Sequence, residues 1–167
     1  MKRLIYLALC LPALLAVAAC AAQQPLLNNP APYPEASFAV MTDLHAYDPH
    51  LGTDGKAFES YTAGDYKLIK ESAEILQTAV EQINNENVSF VVVPGDLTDH
   101  GDRASHELVA QYLKQLQANG KKVYVVPGNH DIDNANAVRY SGNITLRIRN
   151  ITAEEFSQIY ADFGYND

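Results

Sequence analysis

The chain has 167 residues, a one-domain length, and its 47% hydrophobic content with 19% charged residues supports a packed core and excludes wholesale disorder. The formal net charge is -8 and no Lys/Arg-rich stretch stands out, which argues against a nucleic-acid-binding surface working by phosphate neutralisation.

The first segment has the pattern of an export leader. Lys2 and Arg3 form a positive start, Leu4 to Val17 is almost wholly apolar, and the run closes on Ala18-Ala19-Cys20. A cysteine directly after small residues resembles the bacterial lipobox, where that residue is lipidated and becomes the mature N-terminus. The expectation is a lipoprotein signal over 1–19, lipid on Cys20, and an exported, membrane-anchored protein on the periplasmic or cell-surface side. The apolar run is shorter than the roughly 20 residues a span needs, which speaks against a transmembrane anchor. Cys10 would be lost with the leader and Cys20 blocked, so no thiol or disulfide chemistry is expected of the mature chain. Residues 20–36 hold four prolines and no periodicity, and read as a flexible tether.

A domain is expected over 37–167. Residues 37–42 (SFAVMT) read as a strand ending at Asp43. Residues 46–64 contain Pro49, Gly52, Gly55 and Gly64 without a period and read as a long loop. Asp65 is a candidate N-cap for a helix whose stripe is Ile69, Ala73, Leu76, Val80 and Ile83, ending near Asn84-Asn85. Val88 to Val93 (VSFVVV) is an almost wholly apolar, mostly β-branched run, the signature of a strand buried on both faces of a parallel sheet. A second helix is expected from about Asp102 to Ala118, with Leu108 or Val109, Tyr112 and Leu116 on one face, and then a strand at Val123–Val126. Residues 132–151 look irregular; their Arg139, Arg147 and Arg149 are candidate phosphate contacts, although a solvated loop fits them as well. Thr152-x-x-Glu155 is a capping box that opens a last helix, 153–162. The β-α-β-α-β order implies an α/β fold with a parallel sheet and right-handed crossovers.

Three polar motifs sit at the C-terminal ends of these strands, the edge where open α/β sheets bind ligands. Asp43-x-His45 places a carboxylate and an imidazole two residues apart, on one side of an extended chain. In Gly95-Asp96-x-x-Asp99 the glycine permits a sharp turn, and a carboxylate with two oxygens can bridge two cations. Gly128-Asn129-His130-Asp131 adds a neutral amide oxygen, an imidazole free to face substrate, and an acid able to orient it. Singly, the first two are common strings; in order on successive strands they form a constellation.

Together the motifs resemble the first three blocks of the calcineurin-like metallophosphoesterase superfamily over residues 37–131. The resemblance implies the N-terminal part of an α/β/β/α sandwich and metal-dependent hydrolysis of phosphate mono- or diesters. It implies two divalent ions of the Fe, Mn or Zn type with a shared hydroxide. By position, Asp43 and His45 would hold the first ion, Asp96 would bridge both, and Asn129 would bind the second. His130 would act at the phosphoryl group and Asp131 would orient it.

The family's later blocks, a lone histidine and Gly-His-x-His, have no counterpart after His130, the last of the five histidines. His50 and His106 are expected to be solvated, and His100 to lie beside the ligands or at the surface. The expectation is therefore a chain lacking the C-terminal half of the fold, with an uncovered sheet face, weak metal binding and poor turnover. A non-catalytic lipoprotein module with a degenerate phosphoesterase fold is the alternative, and a Rossmann-type nucleotide binder is disfavoured because no Gly-x-Gly-x-x-Gly follows the first strand.

Overall fold

Short β-branched runs followed by Pro-Gly build the centre of the molecule. The computed structural model describes residues 34–166. Strands β1 (Phe38–Val40), β2 (Phe90–Pro94) and β3 (Lys122–Val126) form a parallel sheet in the order β1-β2-β3. Ala39 pairs with Val91, and Val91 with Val123, which fixes the register across the sheet.

The helices are α1 (Lys56–Thr62), α2 (Ser72–Asn85), α3 (Arg103–Ala118) and α4 (Ala153–Ile159). Helices α2 and α3 serve as the two crossovers. Leu76 and Val80 from α2, and Val109, Leu113 and Leu116 from α3, pack with Val91, Val93, Val123 and Val125 in one core. Phe156 and Tyr160 of α4, with Phe163, complete it. Asp102 caps α3 by accepting the Ser105 amide at 2.8 Å, and the Thr152/Glu155 capping box opens α4 as expected.

Several expectations give way. The stretch read as a loop over 46–64 contains a 3-10 turn, Pro49–Leu51, and helix α1. Its single apolar stripe is too short for periodicity to register: Phe58 packs with Tyr47, Ile69 and Tyr140 in a small second cluster. Asp65 does not cap α2; its carboxylate accepts the Lys67 amide at 3.1 Å, and a 3-10 turn at Ile69–Glu71 precedes the helix. The irregular stretch 132–151 contains an antiparallel hairpin, β4 (Val138–Ser141) and β5 (Ile144–Arg147), turned by Gly142-Asn143. The last helix ends at Ile159 and continues as a 3-10 turn, Ala161–Phe163.

Strand β2 is not buried on both faces. Val91 and Val93 are buried, but Phe90 and Val92 on the opposite face are only half-buried. Both crossovers lie on one face, so the other carries an exposed apolar row of Phe38, Val40, Tyr124 and Val126. Phe38 stacks on Phe90 there with ring centroids 4.9 Å apart. Among the described residues no element covers this face.

Candidate metal centre

The site forms where three strand ends meet. Beyond β1 the chain keeps running alongside the segment after β2: the Met41 amide donates to the Val92 carbonyl, His45 to Asp96 and Ala46 to Leu97, each at 3.0 Å. This holds the first motif against the second. The backbone is not extended, however. Asp43, His45 and Asp96 have φ of 53°, 41° and 45°, a left-handed conformation uncommon outside glycine. Three such residues at one locus mark backbone held away from its preferred wells by its surroundings, a pattern that clusters at functional sites.

Glycine brings the third motif close. A Cβ on Gly128 would collide with the Asp96 carboxylate and its backbone, and one on Gly95 would meet the Gly128 Cα at 3.2 Å. The two Pro-Gly turns therefore touch glycine to glycine. Asp131, fully buried, fastens them. Its carboxylate accepts the amides of Gly128 at 2.7 Å, Thr98 at 2.9 Å and Leu97 at 3.1 Å, and the Thr98 hydroxyl at 3.0 Å. Asp131 does not orient the His130 ring as expected, because its acceptor positions are taken by these donors. The Asp99 backbone carbonyl lies 2.7 Å from His130 Nδ1 instead.

His45, Asp96 and His130 thereby offer ligand atoms that all lie within 4.8 Å of one another. His45 Nε2 lies 3.8 Å from Asp96 Oδ2 and 3.9 Å from Asp43 Oδ1. The His45 and His130 rings meet edge to face with centroids 4.8 Å apart. Asp96 Oδ1 also accepts the His130 amide at 3.2 Å. Asp43 is the open member, with a side chain 63% exposed, and Asn129 lies exposed in the turn between Gly128 and His130. Burial holds the His45 imidazole below its ordinary value, and the charges of Lys67 and His130 push the same way. A neutral imidazole is the form that ligates a metal.

Behind His45 the last residue of the second motif, Asp99, gathers partners from outside the motifs. The Asp99 carboxylate is fully buried and accepts the Tyr61 hydroxyl at 2.5 Å. Lys67 Nζ lies 3.7 Å from its Oδ1, and His100 Nε2 lies 3.4 Å from its Oδ2. Tyr61 belongs to α1, inside the stretch read as loop, so sequence pattern carried no signal for it. His100 is buried beside this carboxylate, and burial lowers its imidazole too. His50 is exposed as expected. His106 is not solvated; it is buried, with Nε2 2.8 Å from the Asp131 carbonyl and Nδ1 3.0 Å from the Tyr160 hydroxyl. Two of the three candidate arginines of 132–151 are engaged elsewhere: Arg149 pairs with Glu155 at 2.7 Å, and Arg147 reaches the Ala135 carbonyl; Arg139 is exposed on β4. Cys20 and the leader lie outside the described residues, and no helix among those residues is long and apolar enough to cross a membrane.

Residues 36–166 match the calcineurin-like phosphoesterase family. A protein of Vesicomyosocius okutanii subsp. Calyptogena okutanii (strain HA), named "Probable cyclic nucleotide phosphodiesterase", is 30% identical over 69 residues. That stretch is 41% of this chain and spans 28% of the relative's length. The family match over residues 36–166 spans the strand ends that carry His45, Asp96 and His130, and the chain belongs to the calcineurin-like phosphoesterase family.

Proposed function

We propose that this chain carries a two-ion centre for the hydrolysis of phosphate mono- or diesters, with Asp43, His45, Asp96 and Asn129 as ligands and His130 at the phosphoryl group. The observation that carries the reading is the convergence of His45, Asp96 and His130 from three separate strand ends. The donor set fits: imidazole nitrogen and carboxylate oxygen, one imidazole buried and kept neutral, suit Fe, Mn or Zn. When bound, such ions supply Lewis acidity at phosphorus and make water a stronger nucleophile.

The chain's own residues do the positioning. Asp96 keeps one oxygen on the His130 amide and turns the other toward His45, so it faces both neighbours at once. A carbonyl can only accept, so the His130 Nδ1 beside the Asp99 carbonyl carries the proton. Its Nε2 is then the basic nitrogen, able to take up a proton and return it to a leaving oxygen. The relative's name makes a cyclic phosphodiester the first substrate to try.

The test is ion binding first and turnover second. Calorimetric titration with Mn2+ and Zn2+ is expected to saturate for the native chain and to fail for Asp96→Ala. Where a chromogenic phosphodiester is hydrolysed, His130→Gln is expected to lower the rate by roughly 10²–10⁴-fold. No saturable ion binding by the native chain, or hydrolysis persisting in Asp96→Ala, would overturn the proposal.

The leader pattern supports a further part of this reading, export followed by lipid attachment at Cys20. Incorporation of labelled palmitate that disappears in Cys20→Ser is the expected result. Label persisting in that variant would refute the attachment point.

A further inference from the structure

The buried group behind His45 contains three polar atoms without a hydrogen-bond partner: His45 Nδ1, Asp99 Oδ1 and His100 Nε2. Buried polar atoms are rarely left unmatched, and each one that is calls for an explanation. Two of them face each other, His45 Nδ1 and Asp99 Oδ1 at 3.8 Å. The other Asp99 oxygen is committed to the Tyr61 hydroxyl at 2.5 Å. Tyr61 is itself wedged in place, stacked on Tyr140 with centroids 5.5 Å apart and packed on His100 at 5.2 Å. Burial and the bond to Asp99 raise its hydroxyl well above the ordinary value, so it remains a donor. On the far side of the imidazole, Nε2 is the nitrogen turned toward Asp96.

We propose that Tyr61 and Asp99 are a positioning pair: Tyr61 holds the Asp99 carboxylate so that its free oxygen accepts the His45 Nδ1 proton, which leaves the Nε2 lone pair facing Asp96 and His130. The inference rests on the reading of His45 as a metal ligand. Its physical basis is general: an imidazole whose inner N–H is held by a carboxylate presents one tautomer and one ring orientation to the ion, and its lone pair becomes more basic. Closing 3.8 Å to a hydrogen bond takes a movement of less than about 1 Å. The pair ties the chemistry to α1, an element outside the three motifs. Lys67, 3.7 Å from the same Asp99 oxygen, places a positive charge at the solvent side of the pair.

The experiment uses the full chain, labelled with 15N in histidine. Metal-free spectra near neutral pH report which ring nitrogen of His45 carries the proton. The native chain is expected to show the Nδ1–H tautomer, Tyr61→Phe a mixture, and Asp99→Asn a larger loss. In parallel, Zn2+ affinity by calorimetry is expected to fall about 10–100-fold in Asp99→Asn and less in Tyr61→Phe. Tyr61→Phe keeps the ring and its packing, so it reads the hydroxyl alone even where Asp99→Asn unfolds. His45→Ala identifies the His45 signals and is expected to abolish Zn2+ binding. A tautomer and a Zn2+ affinity unchanged in Tyr61→Phe would overturn the pair. A native chain that binds no Zn2+ would overturn the metal reading instead, while the tautomer comparison would still decide the pair.

Discussion

Asp131 shows how much one buried side chain can hold. It satisfies the amides of Leu97, Thr98 and Gly128, which belong to two different strand-end turns. Asp131→Ala would strand these donors at about 1–3 kcal/mol for each one left buried. A large fall in the urea midpoint is expected, with a smaller fall for Asp131→Asn, which retains an acceptor. Equal midpoints for Asp131→Ala and the native chain would contradict this role. His106 is the second case. Burial keeps its imidazole below the ordinary value of 6.5. The unfolded chain therefore takes up that proton at a higher pH than the folded one. The stability His106 lends is fully present above about 6.5 and is lost as the pH falls through the folded value. His106→Gln, which can still donate to the Asp131 carbonyl, is expected to reduce the loss of stability on acidification below that point. An undiminished slope in urea titrations would count against it. Neither role was legible in the sequence, because both depend on contacts across 25 or more positions, Asp131 with Leu97 and Thr98 and His106 with Asp131.

The elements divide by how local their determinants are. Helix α4 is set by neighbours in sequence: Thr152 Oγ1 accepts the Glu155 amide at 3.3 Å, and Glu155 accepts the Thr152 amide at 3.0 Å. Glu155 also meets Arg149 and Arg103, each at 2.7 Å; the Thr152 amide first, and then these two guanidinium groups, hold its carboxyl down at about 2. Thr152→Ala is expected to lower stability by about 1 kcal/mol. The check is the urea midpoint, with an unchanged value ruling the cap unimportant. Helix α1 and the β4–β5 hairpin are the opposite case. Gly55, at the start of α1, lies against Gly142 of the hairpin turn, and the Ala57 amide donates to the Gly142 carbonyl at 3.0 Å. Each stabilises the other, so neither is strong enough alone to announce itself as a pattern. The Gly142-Asn143 turn between alternating residues was the one local signal available for the hairpin.

At the scale of the molecule, the parallel sheet has one packed face and one open face. Phe38, Val40, Tyr124 and Val126 on the open face are 53%, 55%, 45% and 49% exposed. A contiguous apolar patch of this kind promotes association and binds apolar dyes. The native chain is expected to enhance the fluorescence of an anilinonaphthalene dye and to elute larger as its concentration rises. Val40→Lys combined with Val126→Lys is expected to suppress both with little change in the urea midpoint, since both side chains are already half in water. A native chain that neither binds the dye nor associates would refute the patch as a sticky surface.

By itself the sequence determined the parallel α/β core, the three strand-end motifs and the family they indicate. These rest on local chemistry: β-branched runs, Pro-Gly stops, a capping box, and ligand residues at fixed offsets from strand ends. Only the tertiary structure decided that His130 stands with His45 and Asp96, and that Asp131 fastens the turns instead of aiming the histidine. It alone placed Tyr61 and Asp99 behind His45. The physical reason is the same in each case. A side chain's partner is set by which backbone lies across from it once the strands are in register, and the spacing of residues along one chain does not encode that opposition.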